Sequence, residues 1–265
     1  MKNSFSTEFV FQVFSLIISI IIVHAIYVGV IRPNAAAVIE EQRILIEQDP
    51  DYIPERSGFV IVKDFEQEAC FILMLWAMSI MGYKTYYANR ERRLLELDLV
   101  PIADGVRILP EDGRQYARQL QALPDAEQQL LLPRALLGAL QRFGTTRNVQ
   151  DVSSSTHTLV SSEADRLESE LSMIRYIAWA IPSIGFIGTV RGIGAALGLA
   201  HRAVEGDISG VTQSLGVAFN STFIALLISI VLMFLVHQLQ LLQEKTVFAT
   251  ENYVDQNLIR HMQSI

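Results

Sequence analysis

The stretch Ile181-Pro-Ser-Ile-Gly-Phe-Ile-Gly-Thr-Val-Arg-Gly-Ile-Gly-Ala-Ala-Leu-Gly198 decides the fold. It is apolar and rich in glycine, it carries one proline and one charge, and no Asp or Glu lies between Leu171 and Val204. A run of this length reads as a membrane-spanning helix, because lipid offers main-chain polar groups no partner outside their own helix. On a helix, Pro182, Gly185, Thr189, Gly192 and Ala196 recur at three- and four-residue steps, so they share one small face bearing a single hydroxyl. Two readings of that face stay open. Small residues let two membrane helices pack closely, with Gly188 and Gly192 as positions where leucine would disrupt assembly. Alternatively the face lines a narrow passage and Thr189 is its polar group. A phosphate cradle is excluded, since it needs a strand before the glycines and a soluble helix after them.

Composition agrees with a membrane chain. Of 265 residues, 51% are apolar and 18% charged, and the charges sit in blocks between long apolar runs. The net charge of -7 therefore says less than the side on which each block falls. A single cysteine, Cys70, excludes a disulfide framework and any multi-cysteine metal site.

Taken in order, residues 1–31 hold the first span, its uncharged run Phe9 to Ile31 ended by Arg32-Pro33, with His24 the only ionisable residue of that run; that histidine reads as packed and neutral, or as a proton relay. Residues 32–68 form an acidic loop, with a short helix over Ala35–Gln48 broken by Asp49-Pro50-Asp51 and Pro54. Residues 69–87 are the second span. Arg90, Arg92 and Arg93 follow it closely, and positive charge beside a span marks the cytoplasmic side. The acidic loop is then outside and the N-terminus inside. Residues 88–170 read as a helical cytoplasmic region, with helices over Glu111–Leu123 and Pro124–Phe143, the second ended by Gly144; Ser153–Ser155 fit a loop or a cap. Leu130, Leu131, Leu136, Leu137 and Leu140 give an apolar face that must pack on something.

From about Glu163 one long helix continues into the third span, 171–201, with a bend expected at Pro182. A short outer loop, 202–210, leads to the fourth span, 211–245, and a polar cytoplasmic tail, 246–265. The expected fold is an all-α integral membrane protein. It has four transmembrane helices, the last two long and extending into the cytoplasm, with a helical cytoplasmic region between spans two and three.

The fourth span carries a second small face: Ala218, Thr222, Ala225 and Ser229, with Asn220 and Ser221 nearby as further polar contacts. Neither long span carries an Asp or Glu within its apolar run, Leu171 to Val204 in the third and Val211 to Leu242 in the fourth. Hydroxyls pass or orient a proton but do not store one. Either the two helices only pack, or another polypeptide supplies an acid that the stripes face.

Here a resemblance enters. Gly185-Phe-Ile-Gly-Thr-Val-Arg-Gly-Ile193 resembles the third-helix motif of the MotA/TolQ/ExbB proton-channel family, and Gly216-Val-Ala-Phe-Asn-Ser-Thr222-Phe-Ile-Ala-Leu226 resembles its last-helix motif. The likeness covers Arg175 to Leu242 well and the rest in layout. It implies a homo-oligomeric ring of five copies in a bacterial inner membrane. The ring surrounds a single-span partner of the ExbD/TolR/MotB type, whose aspartate carries protons and whose movement proton flow drives. By position, Thr189 and Thr222 would line the path, and Pro182 would sit at the inner end of the third helix, where bending would gate or transmit motion. The four-span layout resembles the flagellar stator branch, the motif wording the TolQ/ExbB branch. Where relatives have tryptophan after Gly-Thr-Val, this chain has Arg191, about 24 Å beyond Arg175 on a helix; it either snorkels outward or pairs with an acid such as Glu205 or Asp207. The alternative function is a membrane scaffold whose small-residue stripes only pack helices. Apart from lipid, no other partner is expected: no cofactor, no metal and no nucleic acid. No nucleophile–base set is present, so no enzyme is expected.

Overall fold

The computed structural model describes residues 4–49, 52, 55, 57–102 and 105–263, with side chains from Glu8 onward. The breakers Pro50, Asp51 and Pro54 lie outside these residues. Among the described residues there is no strand, and four helices are long and apolar enough to cross a membrane. The chain divides into two compact units, residues 1–81 with 173–236, and residues 82–172 with 237–265.

In the first unit, α1 (Ser4–Ile26) does not stop at Arg32-Pro33, as the sequence led us to expect. It passes through a π-helical turn, Tyr27–Ile31, into α2 (Arg32–Gln48). The Arg32 N–H bonds the Tyr27 carbonyl, five residues back. Such a widened turn gives the Pro33 ring room and absorbs its missing donor, so the proline continues the helix instead of ending it. A short helix α3 (Gly58–Val62) precedes α4 (Phe65–Leu95), so much of the expected acidic loop is helical.

Two helices dominate the chain. α8 (Val149–Gly198) is 50 residues long and α10 (Ser209–Asn257) is 49, joined by the single turn α9 (Ala200–Val204). At 1.5 Å per residue each is about 75 Å long, more than twice the hydrocarbon thickness. α8 begins earlier than Glu163, and Ser153–Ser155 lie within it. Large apolar side chains such as Phe186, Val190, Phe219 and Ile230 remain exposed on these helices, as lipid or neighbouring chains require.

The second unit holds α5 (Gly113–Gln121), α6 (Asp125–Gln128) and α7 (Leu131–Thr146). The single helix expected over Pro124–Phe143 is thus two, parted at Leu130, whose backbone is extended. Leu130 brings no side-chain cap; Glu91 of α4 does it instead, accepting the Leu131 N–H on both carboxylate oxygens at 2.8 and 2.9 Å. α7 runs past Gly144 and ends at Arg147, which takes the left-handed conformation (φ 52°) that the sequence reading gave to glycine. The leucine face does find a core: Leu132, Leu136, Leu140 and Phe143 pack with Leu94, Leu120 and Val152.

The tail joins that core. Val254, Leu258, Ile259 and Met262 are buried with it, and Ile108 N–H donates to the His261 carbonyl at 2.8 Å while Gln263 N–H donates to the Ile108 carbonyl at 3.1 Å. The tail is polar at its surface only, because its apolar residues close the end of this unit.

Candidate functional site

In the first unit the small faces of α8 and α10 meet. A Cβ placed on Gly188 would lie 2.5 Å from the Ser221 Cβ, and one on Gly192 2.7 Å from both the Cβ and the main-chain nitrogen of Ala218. On Gly185 it would strike the Ala225 side chain. Real Cβ atoms do not approach below about 3.0 Å, so hydrogen is the only side chain these three positions accept. Close approach is what small residues give two membrane helices.

That approach brings two hydroxyls together. Thr189 and Thr222 hydrogen-bond to each other through their Oγ1 atoms. Thr189 Oγ1 also lies 3.1 Å from the Ala218 carbonyl and 3.3 Å from that of Gly185, and Thr222 Oγ1 lies 3.2 Å from the Gly185 carbonyl. Each hydroxyl has one proton to donate. Two protons therefore serve more acceptors than they can fill at once. In one arrangement Thr222 donates to Thr189, which donates to a carbonyl; in the other Thr189 donates to Thr222, which donates to Gly185. Exchange between them needs rotation of O–H bonds only. Neither hydroxyl touches a carboxylate among the described residues, so the pair orients a proton and holds none.

Pro182 sits inside α8 without ending it. Lacking an N–H, it leaves the Ala178 carbonyl without its helical donor, and the Ser229 hydroxyl of α10 donates to that carbonyl at 3.0 Å. The Ser221 hydroxyl donates to the Val217 carbonyl of its own helix at 2.8 Å. Asn220 is half-buried, and its side chain makes no hydrogen bond among the described residues. Of the expected polar contacts, two hydroxyls are therefore spent on main-chain carbonyls.

Arg191 takes a partner the sequence did not suggest. Its guanidinium forks onto Glu66, Nε at 2.6 Å and Nη2 at 2.8 Å from the two carboxylate oxygens. Asp207 is engaged elsewhere: the hydroxyl and N–H of Ser209 both donate to it and hold its carboxyl below the usual range. Glu68, two residues after Glu66 in the first turn of α4, is buried and takes His24 Nδ1 at 2.6 Å and Arg32 Nη2 at 2.5 Å. His24 is thus neither isolated nor simply packed. These two acids were assigned to a solvated loop. The signal that finds them is their place at the start of an apolar run, opposite Arg32 and His24 near the end of the preceding one.

Residues 127–252 match the family model of the MotA/TolQ/ExbB proton channel family, a span that contains both threonines and all three close-packed glycines. Over these residues, a little under half of the chain, the sequence is similar to that family. No curated protein and no solved structure matches the chain. Four helices long and apolar enough to cross a membrane, together with this match, make the chain a multi-pass membrane protein. The family match begins in the second unit, at Glu127, and ends within α10.

Proposed function

We propose that this chain is the ring-forming subunit of a motor driven by the proton-motive force in a bacterial inner membrane, with both termini in the cytoplasm. About five copies would surround a single-span partner of the ExbD/TolR/MotB type. An aspartate of that partner takes up and releases protons beside Thr189 and Thr222, and the ring turns that cycle into movement. One observation carries the reading: a hydroxyl pair at the heart of the acid-free apolar stretches of two helices, bonded to itself and to main-chain carbonyls only. Such a pair has a use where a carboxylate arrives from another chain, because it can donate to the ionised acid and accept from the protonated one.

The close glycine contacts favour the scaffold alternative as well, and the two readings separate on hydroxyl removal. A scaffold tolerates Thr222→Val, since valine has the same shape; a proton path does not. The deciding experiment co-expresses the chain with a single-span protein bearing a membrane-embedded aspartate, isolates the complex and measures proton uptake. Co-purification with coupled uptake supports the proposal; full activity of this chain alone opposes it.

A further inference from the structure

The second unit has a groove of about 300 Å³ between α8 and α10. Its floor is apolar, formed by Val160, Leu167 and Val247, and carboxylates of Asp165, Glu168 and Glu244 stand around it. No Lys or Arg is among its lining residues. Gln243 also lines it; this side chain is 5% exposed, and its Oε1 is a buried acceptor with no donor among the described residues. The groove thus asks for a donor-rich cation on an apolar stem, which describes an arginine.

The same unit exposes two. Of the three arginines that end α4, Arg90 lies 3.8 Å from Glu127, while Arg92 and Arg93 are exposed and form no ion pair among the described residues. Their height follows from the pairing of helices. Lys84 of α4 bonds Glu170 of α8 at 2.8 Å; seven residues on, Glu91 comes within electrostatic range of Glu163, seven residues back. The two helices are therefore antiparallel and in step, and Arg92 and Arg93 stand level with Ser161 and Ser162, within the length of the groove. The patch and the groove are different surfaces of one chain at one height. Copies joined by such a pair are related by rotation without rise, the condition under which a head-to-tail contact closes into a ring instead of growing into a filament.

We infer that the α8–α10 groove receives Arg92 and Arg93 from the α4 end of the next copy, so that an acid–base joint links neighbouring subunits outside the apolar zone. This rests on the ring reading above and says which surfaces meet. Arginine donors satisfy Gln243 Oε1 and meet the Asp165 carboxylate, and the arginine stems cover Val247 and Leu167.

The test uses the full-length chain in mild detergent. Ring mass is read by native mass spectrometry for the wild type, for R92E/R93E, for D165K/E168K and for the fourfold combination, with helicity checked by circular dichroism. Each double reversal should lower the ring fraction at least tenfold, and the combination should restore it. Because a reversal can also act by unfolding, a second arm joins Arg93→Cys with Ser161→Cys in a Cys70→Ala background. Oxidation should then give a ladder of covalent multimers that neither single cysteine gives. Rings that persist in both reversals, or a missing ladder in an assembled ring, overturn the joint and leave the ring reading standing. A monomeric wild type overturns both.

Discussion

The Ser229 hydroxyl of α10 donates to the Ala178 carbonyl of α8 at 3.0 Å, the carbonyl that Pro182 leaves without its helical donor. In lipid such an orphan has no water to turn to, so the fourth span supplies from its side chain what the third cannot supply from its backbone. Pro182 is thereby accommodated in α8 at little energetic cost, about two turns before Thr189.

Ser229→Ala should destabilise the protein by about 1–3 kcal/mol, the cost of a buried acceptor left unmade. Pro182→Ala restores an N–H to α8 and should suppress most of that loss in the double variant. Thermal denaturation of the four proteins in one detergent completes the cycle, and additive effects would show that the two residues are not coupled in this way.

Gly192→Leu should prevent proper folding, with a loss of about 3 kcal/mol or more, because a Cβ there meets main chain as well as the Ala218 side chain. Gly194 has nothing within 4 Å of a Cβ. Gly194→Ala should be neutral or stabilise by up to about 1 kcal/mol through helix propensity. Yield and melting temperature of the two variants provide the comparison.

The two outer ion pairs should differ in worth. Glu68 is 8% exposed and its partner Arg32 29%, so Glu68→Gln should cost about 2–3 kcal/mol, somewhat below the figure for a fully buried pair. Arg191 is 51% exposed, and its bond to Glu66 is screened accordingly; Glu66→Gln should cost less than about 1 kcal/mol. Denaturant titration checks the order, and an equal cost for both would contradict it.

In the second unit, Leu136 is fully buried among Leu132, Leu140 and Phe143. Leu136→Ala should lower stability by about 2–5 kcal/mol through lost burial and a cavity. Limited proteolysis should then cut first in this unit, where an unaltered digestion pattern would argue against the core described.

What the sequence made legible followed from local physics. Long acid-free apolar runs announced four spans, and three- and four-residue spacing put Thr189 and Thr222 on small faces. The leucines of α7 announced a core. Other features depend on contacts between distant positions. Pro33 reads as a helix end until the π turn before it is seen, and Gly144 reads as a helix end until Arg147 takes the left-handed turn. The tail reads as polar until Met262 and Ile259 are found packed with Ile108, more than 150 residues away. Glu66 and Glu68 look like loop acids because nothing local shows that Arg191 and Arg32 reach them.

The hydroxyl pair is the centre of the account, and proton uptake tests it most directly. Membrane vesicles carrying equal amounts of assembled complex, with its single-span partner, would be compared for wild type, Thr222→Ser, Thr222→Val and Thr189→Val. Thr222→Val should reduce uptake at least tenfold, Thr189→Val less severely, and Thr222→Ser should retain most of it. Wild-type uptake by Thr222→Val would contradict the account, leaving the stripe on α10 as a packing surface alone.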